Sequence, residues 1–342
     1  MTTDTTASKR QKRRMDRLKE QGVTRTTVFV HEECKSAFEN LRNHLIDPSK
    51  AKALVSLVAQ LEDKKKLTNV AQVKQLSPFR YPGGKTWLVP EVRKWLTESS
   101  NQPSVLVEPF AGGAMVGLSV AAEGLAENVI LSELDDDVSA VWQTIFHEKE
   151  EDVKWLRQKI VDFDVNLENV RAIIDGNPQT ICERAFRTIV KNRMQRGGIM
   201  AAGAGLIKAG EAGRGLKSRW YPETLARRIE VLQSMRQKIK FEQADAFKII
   251  RRYSDDDKAF FFIDPPYTAG GKKAGSRLYT HNEVDHEGLF SLMSSVSGSV
   301  MMTYDDAPEV REMARCYGFR VEEVPMKNTH HMVIRELLLL KP

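Results

Sequence analysis

Five short apolar runs, each followed by a helical pattern, constrain this chain more than anything else in it. They are Ser104–Val107, Asn128–Ser132, Lys240–Gln243, Ala259–Ile263 and Ser299–Tyr304, and the helical patterns that follow them begin near 113, 136, 246, 285 and 309. Parallel neighbours in a sheet need a crossover, usually a helix. The alternation therefore predicts an α/β chain with a doubly wound parallel sheet. Two closing runs, Arg320–Val324 and Met332–Leu340, suit a terminal hairpin. A polar helical stretch at 150–235 interrupts the alternation and reads as an insert. At 342 residues the chain has room for one large domain with additions, or for two to three modules.

The run Ala259–Ile263 ends in Asp264-Pro265-Pro266-Tyr267. Two prolines have fixed φ and no N–H to donate, so the backbone there is stiff and presents carbonyls. Asp264 adds a carboxylate acceptor, and Tyr267 adds a face for a flat ring. Such a turn suits a planar amine whose lone pair is delocalised into a ring. Two acceptors on its N–H groups favour a pyramidal nitrogen that can attack an electrophile. Acceptors preorganised for charge that appears only in the transition state are a large catalytic term. An ordinary Pro-rich turn is the plainer reading of these four residues taken alone.

Charge is uneven. Residues 1–75 hold 16 Lys+Arg against 9 Asp+Glu, whereas the rest holds 36 against 37, so the net +6 sits in the first quarter. Basic segments attract polyanions, nucleic acid above all; a solvated tail is the bland alternative. Thr24–Val30 alternates as a short strand, and two helical patterns follow before a linker that starts at Lys64. This order resembles ribbon-helix-helix DNA-binding modules, in which paired strands from two chains enter the major groove. That resemblance implies a homodimer through the N-terminal module and places Arg25 and Thr27 at DNA. A basic appendage packed on the main domain fits the pattern equally.

No run approaches the ~18 apolar residues of a membrane span, and the polar start lacks a secretion signal, so no membrane partner is expected and the cytoplasm is the expected compartment. Cys34, Cys182 and Cys316 are too scattered for a disulfide framework or zinc cluster, and no metal is expected.

Four further features stand in fixed order with the Asp-Pro-Pro-Tyr turn. They are Pro78-Phe79-Arg80-Tyr81-Pro82-Gly83-Gly84-Lys85, Glu108-Pro109-Phe110-Ala111-Gly112-Gly113 at a strand end, Glu133-Leu134-Asp135 at the next strand end, and Asp245 after a third. In open α/β sheets ligands bind at the carboxyl ends of strands near the switch point. The glycine spacing fits neither the GxGxxG fingerprint nor a phosphate loop, which argues against NAD and ATP. Glu133 falls about 20 residues after the glycine loop, as ribose-binding acids do. Asp245 reads equally as a helix N-cap.

The ordered set, over about 78–342, resembles the Dam-like adenine-N6 DNA methyltransferases. The resemblance implies a Rossmann-like methyltransferase sheet with a helical target-recognition insert at 150–235, S-adenosyl-L-methionine as cofactor, and double-stranded DNA as partner. It implies methyl transfer to the adenine N6 amine after base flipping, in DNA modification or restriction-modification, by a bacterial or phage-encoded enzyme. Catalytic roles would fall to Asp264, Pro265, Pro266 and Tyr267. Cofactor contacts would fall to Tyr81, Lys85, Glu108, Phe110, Gly112, Gly113, Glu133, Asp245 and Asp264. Lys191-Asn192-Arg193 resembles the family's Asn-Arg element, and with Arg196, Lys208 and Arg214 it forms the expected DNA surface of the insert. Trp220 fits the pattern too and reads more simply as core. Two other readings stay open: methylation of an RNA base or protein glutamine, and a DNA-binding regulator on an inactive scaffold.

Overall fold

The computed structural model describes residues 72–341, except 81–83, 100–101, 148, 202, 211–212, 267–282 and 328–332, together with scattered positions before 72. The chain divides into two compact units, Met1–Lys66 and Leu67–Pro342. The strand expected at 24–30, with Arg25 and Thr27, lies outside the described residues.

Among the described residues seven strands form one sheet. They are β1 (Val105–Glu108), β2 (Asn128–Glu133), β3 (Ile239–Gln243), β4 (Ala259–Ile263), β5 (Ser299–Asp305), β6 (Arg320–Lys327) and β7 (Val333–Lys341), in the order β3-β2-β1-β4-β5-β7-β6. The first five run parallel; β7 is antiparallel to both β5 and β6. The closing hairpin thus inserts its second arm beside β5 and leaves its first arm at the edge.

The two-residue period of the strands sorts their side chains onto two cores. In β4, Phe260 and Phe262 join one core while Ala259, Phe261 and Ile263 join the other. Leu106, Val129 and Leu131 share the first face, and Val105, Val107 and Ile130 share the second. Strands covered on both faces read as unbroken apolar runs, and all of β1 and β4 is buried.

Helices α1 (Val89–Glu98), α2 (Met115–Glu123) and α3 (Asp136–Phe146) follow in chain order. The sequence pattern did not anticipate α1, which has Pro90 near its N-terminus. Four helices then run without an intervening strand: α4 (Glu150–Asp162), α5 (Leu167–Asp175), α6 (Ile181–Met194) and α7 (Pro222–Ser234). Asp135 caps α3 by accepting from the Asp137 and Val138 amides, and Thr180 with Glu183 forms a capping box on α6. Helix α6 packs along α3, and α7 along α4. Helices α8 (Ala246–Arg252), α9 (His286–Ser295) and α10 (Pro308–Cys316) serve the second core. Among the described residues no helix is long and apolar enough to cross a membrane.

Candidate active site

The carboxyl ends of β1, β2, β3 and β4 open into one cavity of about 960 Å³. Strand ends supply its floor: Glu108 to Met115 after β1, Glu133 to Asp135 after β2, Ala244 to Phe247 after β3, and Asp264 with Pro266 after β4. Further lining comes from the 75–87 segment and the helical insert, through Arg193, Gly198, Arg219, Tyr221 and Arg228 among others.

Asp264 leaves β4 where the pairing to β5 ends at Ile263. Its Oδ1 accepts a hydrogen bond from the Thr303 hydroxyl at 2.8 Å and lies 3.0 Å from the Lys85 ammonium. Lys85 is buried and also pairs with buried Glu336 at 3.6 Å. Burial pulls the Lys85 ammonium down, but the carboxylates of Asp264 and Glu336 outweigh it and hold it above its ordinary value. Behind this group, buried Tyr304 shares a 3.0 Å hydrogen bond with His286 Nδ1. Burial raises the phenol and depresses the imidazole.

The glycine loop is tied from both sides. Gly112, with φ of 47°, donates its N–H to Glu133 Oε2 at 2.9 Å, and its carbonyl accepts from the fully buried Trp142 indole at 3.0 Å. Glu133 Oε1 accepts from the Leu134 and Asp135 amides at 2.8 and 3.0 Å. Burial raises the Glu133 carboxyl, and these backbone bonds pull it back. Glu108 is buried under the loop, with Oε2 accepting from Gly117 N–H at 2.6 Å. Burial pushes its carboxyl up to about 8 against that bond, with Asp264 adding to the rise.

The structure therefore brings Lys85, Glu108, Phe110, Gly112, Gly113, Glu133, Asp245, Asp264 and Pro266 to one cavity. Pro265 is buried in the same turn, while Tyr81 and Tyr267 lie outside the described residues. Asp245 caps α8 through Lys248 N–H at 3.3 Å and also lines the cavity. Trp220 is core, edge-on to Phe163.

The insert is different. Asn192 is fully buried; its Oδ1 accepts from Arg80 N–H at 2.8 Å, and its amide donates to the Arg80 and Gly198 carbonyls. A side chain whose polar atoms are spent inside the protein does not reach DNA, so that assignment is corrected. Arg193 is likewise buried and donates to the Pro78 carbonyl, but it lines the cavity. Lys191 is half-buried beside Asp137. Arg196, Lys208 and Arg214 are exposed, Arg214 lying over the Tyr221 ring. Gln195 bridges antiparallel to Leu206, so the Gly/Ala-rich stretch returns as a short ribbon.

Thr303 and Glu336 had no assigned role in the sequence reading. Each is a polar residue inside a buried strand run, which is the signal that could have found them. Arg80, Arg219 and Arg228 also line the cavity; none was given a role in the sequence reading, although Arg80 lies within the Pro78-to-Lys85 motif and Arg219 directly before Trp220.

The family described as D12 class N6 adenine-specific DNA methyltransferase matches residues 81–327, which hold the glycine loop, the helical insert and the Asp-Pro-Pro-Tyr turn. The chain belongs to this family. A DNA N-6-adenine-methyltransferase of Escherichia phage P1 is 23% identical over 270 residues, covering 76% of this chain and 34% of that protein. The chain thus spans about a third of that relative's length. Solved structures with a similar outline include an S-adenosylmethionine-dependent methyltransferase from Agrobacterium tumefaciens, at 13% identity and TM-score 0.36, covering 75% of this chain and 62% of that one. An rRNA methyltransferase from Streptomyces viridochromogenes stands at 14% and 0.33, covering 76% and 85%. As a D12-class chain, the protein carries an S-adenosylmethionine-dependent methyltransferase domain.

The cavity fits that cofactor. Its volume is at the upper end for small-molecule pockets, enough for a nucleoside and a second planar ring. A loop with positive φ lets backbone approach a ligand closely, and carboxyl groups at four strand ends offer acceptors for hydroxyl and amine hydrogens.

Proposed function

We propose that the protein methylates the N6 amine of adenine in double-stranded DNA, with the target base turned out of the stack. The observation that carries this reading is Asp264, held by Lys85 and Thr303 in the lining of the cavity, directly after β4. When bound, S-adenosylmethionine supplies a sulfonium methyl as the electrophile. Phe110, Gly112, Gly113, Glu133 and Asp245 would hold it along the floor, Glu133 accepting from ribose hydroxyls and Asp245 from a ring amine. Glu108 supports the loop from beneath, and Lys85 orients Asp264.

The chain's own chemistry is positioning. The Asp264 carboxylate accepts one N–H of the adenine amine, and the Pro265 carbonyl is the candidate for the other. Both acceptors favour the pyramidal nitrogen of the transition state. Holding the reactants in place can supply about 7–11 kcal/mol of a barrier. Tyr267 as a stacking face and Tyr81 as a cofactor contact rest on the family resemblance. Turning the base out costs a few kcal/mol, which phosphate contacts on the insert would offset; Lys191, Arg196, Lys208 and Arg214 belong to that surface. The compartment would be the cytoplasm, with the enzyme on the nucleoid.

Purified protein given S-adenosylmethionine should methylate adenine in duplex DNA and leave RNA and protein unmodified. Asp264→Ala should lower the rate by at least about 10²–10³-fold, with cofactor affinity within a few-fold of wild type. Wild-type turnover by Asp264→Ala would sink the assignment.

A further inference from the structure

Two neighbouring strands turn polar at the same end. In β5 the face that carries Met301 into the first core continues through Thr303 to Asp305, and in β7 the face that carries Leu338 continues to Glu336. The antiparallel register sets Thr303 opposite Leu338 and Asp305 opposite Glu336, so the change falls toward the carboxyl end of β5. Lys85 meets this polar end from a distant part of the chain. It opens the short 3-10 helix Lys85–Leu88, whose Leu88 is fully buried in the same core.

The Lys85 ammonium stands between two carboxylates, 3.0 Å from Asp264 Oδ1 and 3.6 Å from Glu336 Oε2. The side chains of Lys85 and Glu336 are buried, whereas that of Asp264 is partly exposed. Lys85 and Asp264 line the cavity; Glu336 lies outside its lining. Whatever Glu336 does for the cavity it does through a neighbour. An ammonium taken out of water tends to give up its proton. Burial works in that direction on Lys85, and Asp264, then Glu336, and after them Asp305 work against it. Behind this group Asp264 also acts on Glu108 and Tyr304.

Asp264 Oδ1 meets two donors, the Thr303 hydroxyl and the Lys85 ammonium. The hydroxyl belongs to a sheet strand and is fixed with it, but a lysine head rides on a long flexible stem. An ammonium bound only to Asp264 could move with the group it is meant to hold. A second carboxylate on a buried strand ties the ammonium to the sheet. We propose that Glu336 is a positioning residue: from β7 it anchors the Lys85 ammonium, and through Lys85 it holds Asp264 in place for the amine. The role rests on the reading that Asp264 accepts the adenine amine.

The test uses the full chain as Glu336→Gln, Lys85→Met and the double variant, each checked by thermal melting. Single-turnover methylation of duplex DNA is followed across a pH series, with S-adenosylmethionine and DNA affinities measured separately. Glu336→Gln should lower the rate by up to roughly 10²-fold, the cost of a small misplacement of reacting groups, with both affinities within a few-fold of wild type. It should also change the pH profile. The wild-type rate should hold to about the ordinary lysine value of 10.5; without Glu336 less charge opposes burial, and the rate should fall at a pH lower by about 1–3 units. In the Lys85→Met background, adding Glu336→Gln should alter the remaining rate by no more than about two-fold, because the residue through which it acts is gone. That comparison carries the test if Glu336→Gln alone does not fold, since the double variant leaves no buried charge at either position. A Glu336→Gln enzyme with the wild-type rate and pH profile overturns the role, and so do losses that multiply in the double variant. A wild type that transfers no methyl group to adenine overturns instead the reading on which the role rests.

Discussion

At the scale of single residues, the site works through carboxylates held in unlike surroundings. Asp264 is bonded to a hydroxyl and an ammonium, whereas Glu108 sits under the loop with one backbone N–H as its bonded donor. Burial separates Glu108 from the ordinary 4.5 and moves it to about 8. Between those values the folded chain keeps a proton that the unfolded chain releases. Its contribution to stability is therefore full below pH 4.5 and lost as pH rises through about 8. Glu108→Gln keeps an acceptor for Gly117 N–H and removes the titration. Its melting temperature should fall less than that of wild type from about pH 5 to about pH 9, so that the variant gains relative stability with rising pH. Two parallel melting curves would show that Glu108 is ionised throughout.

At the scale of elements, the loop and helix after β1 leave no room at Gly117. A Cβ there would stand 2.5 Å from Glu108 Oε2 and 2.7 Å from Leu131 Cδ2. Gly117→Ala gains some helix propensity, but forcing atoms into a packed core costs about 1–3 kcal/mol, so a net loss of stability is expected in thermal melting; a more stable variant would contradict the packing. Helix α6 gives a second case. Asn192→Ala strands the Arg80 backbone groups and should cost about 1–3 kcal/mol while leaving DNA affinity unchanged. Weaker DNA binding at native stability would return Asn192 to the DNA surface. These two residues also show what the sequence could and could not convey. Strand positions were legible because Phe260 to Ile263 and their neighbours are apolar on both faces, and the Asp245 cap was legible because its chemistry is local. The floor of the cavity was legible for the same reason, since strand ends carry it. The lining beyond the strand ends was not: Asn192 meets Arg80 across 112 residues of chain, and Arg228 meets Ser77 across 151. Nothing local in either segment encodes such a meeting, and the Asn-Arg pattern pointed outward when its asparagine points in. Helix α1 escaped because its apolar positions fall between a Gly-rich turn and a strand without a clear cap.

At the scale of the whole molecule, the net charge and the family match are carried by different parts of the chain. The unit Leu67–Pro342 contains the described cavity and the whole family match, and the net positive charge lies in residues 1–75. A segment with that excess would add affinity for a polyanion without touching the chemistry, because counterion release depends on charge alone. Expressed by itself, 67–342 should methylate duplex DNA with an unchanged kcat and a KM for DNA raised by roughly 10-fold or more near physiological salt, an effect that shrinks at low salt. Steady-state kinetics at two salt concentrations read both quantities. A fall in kcat with KM unchanged would mean that the first unit acts on the transition state, and that the basic segment completes the active site rather than holding the substrate to it.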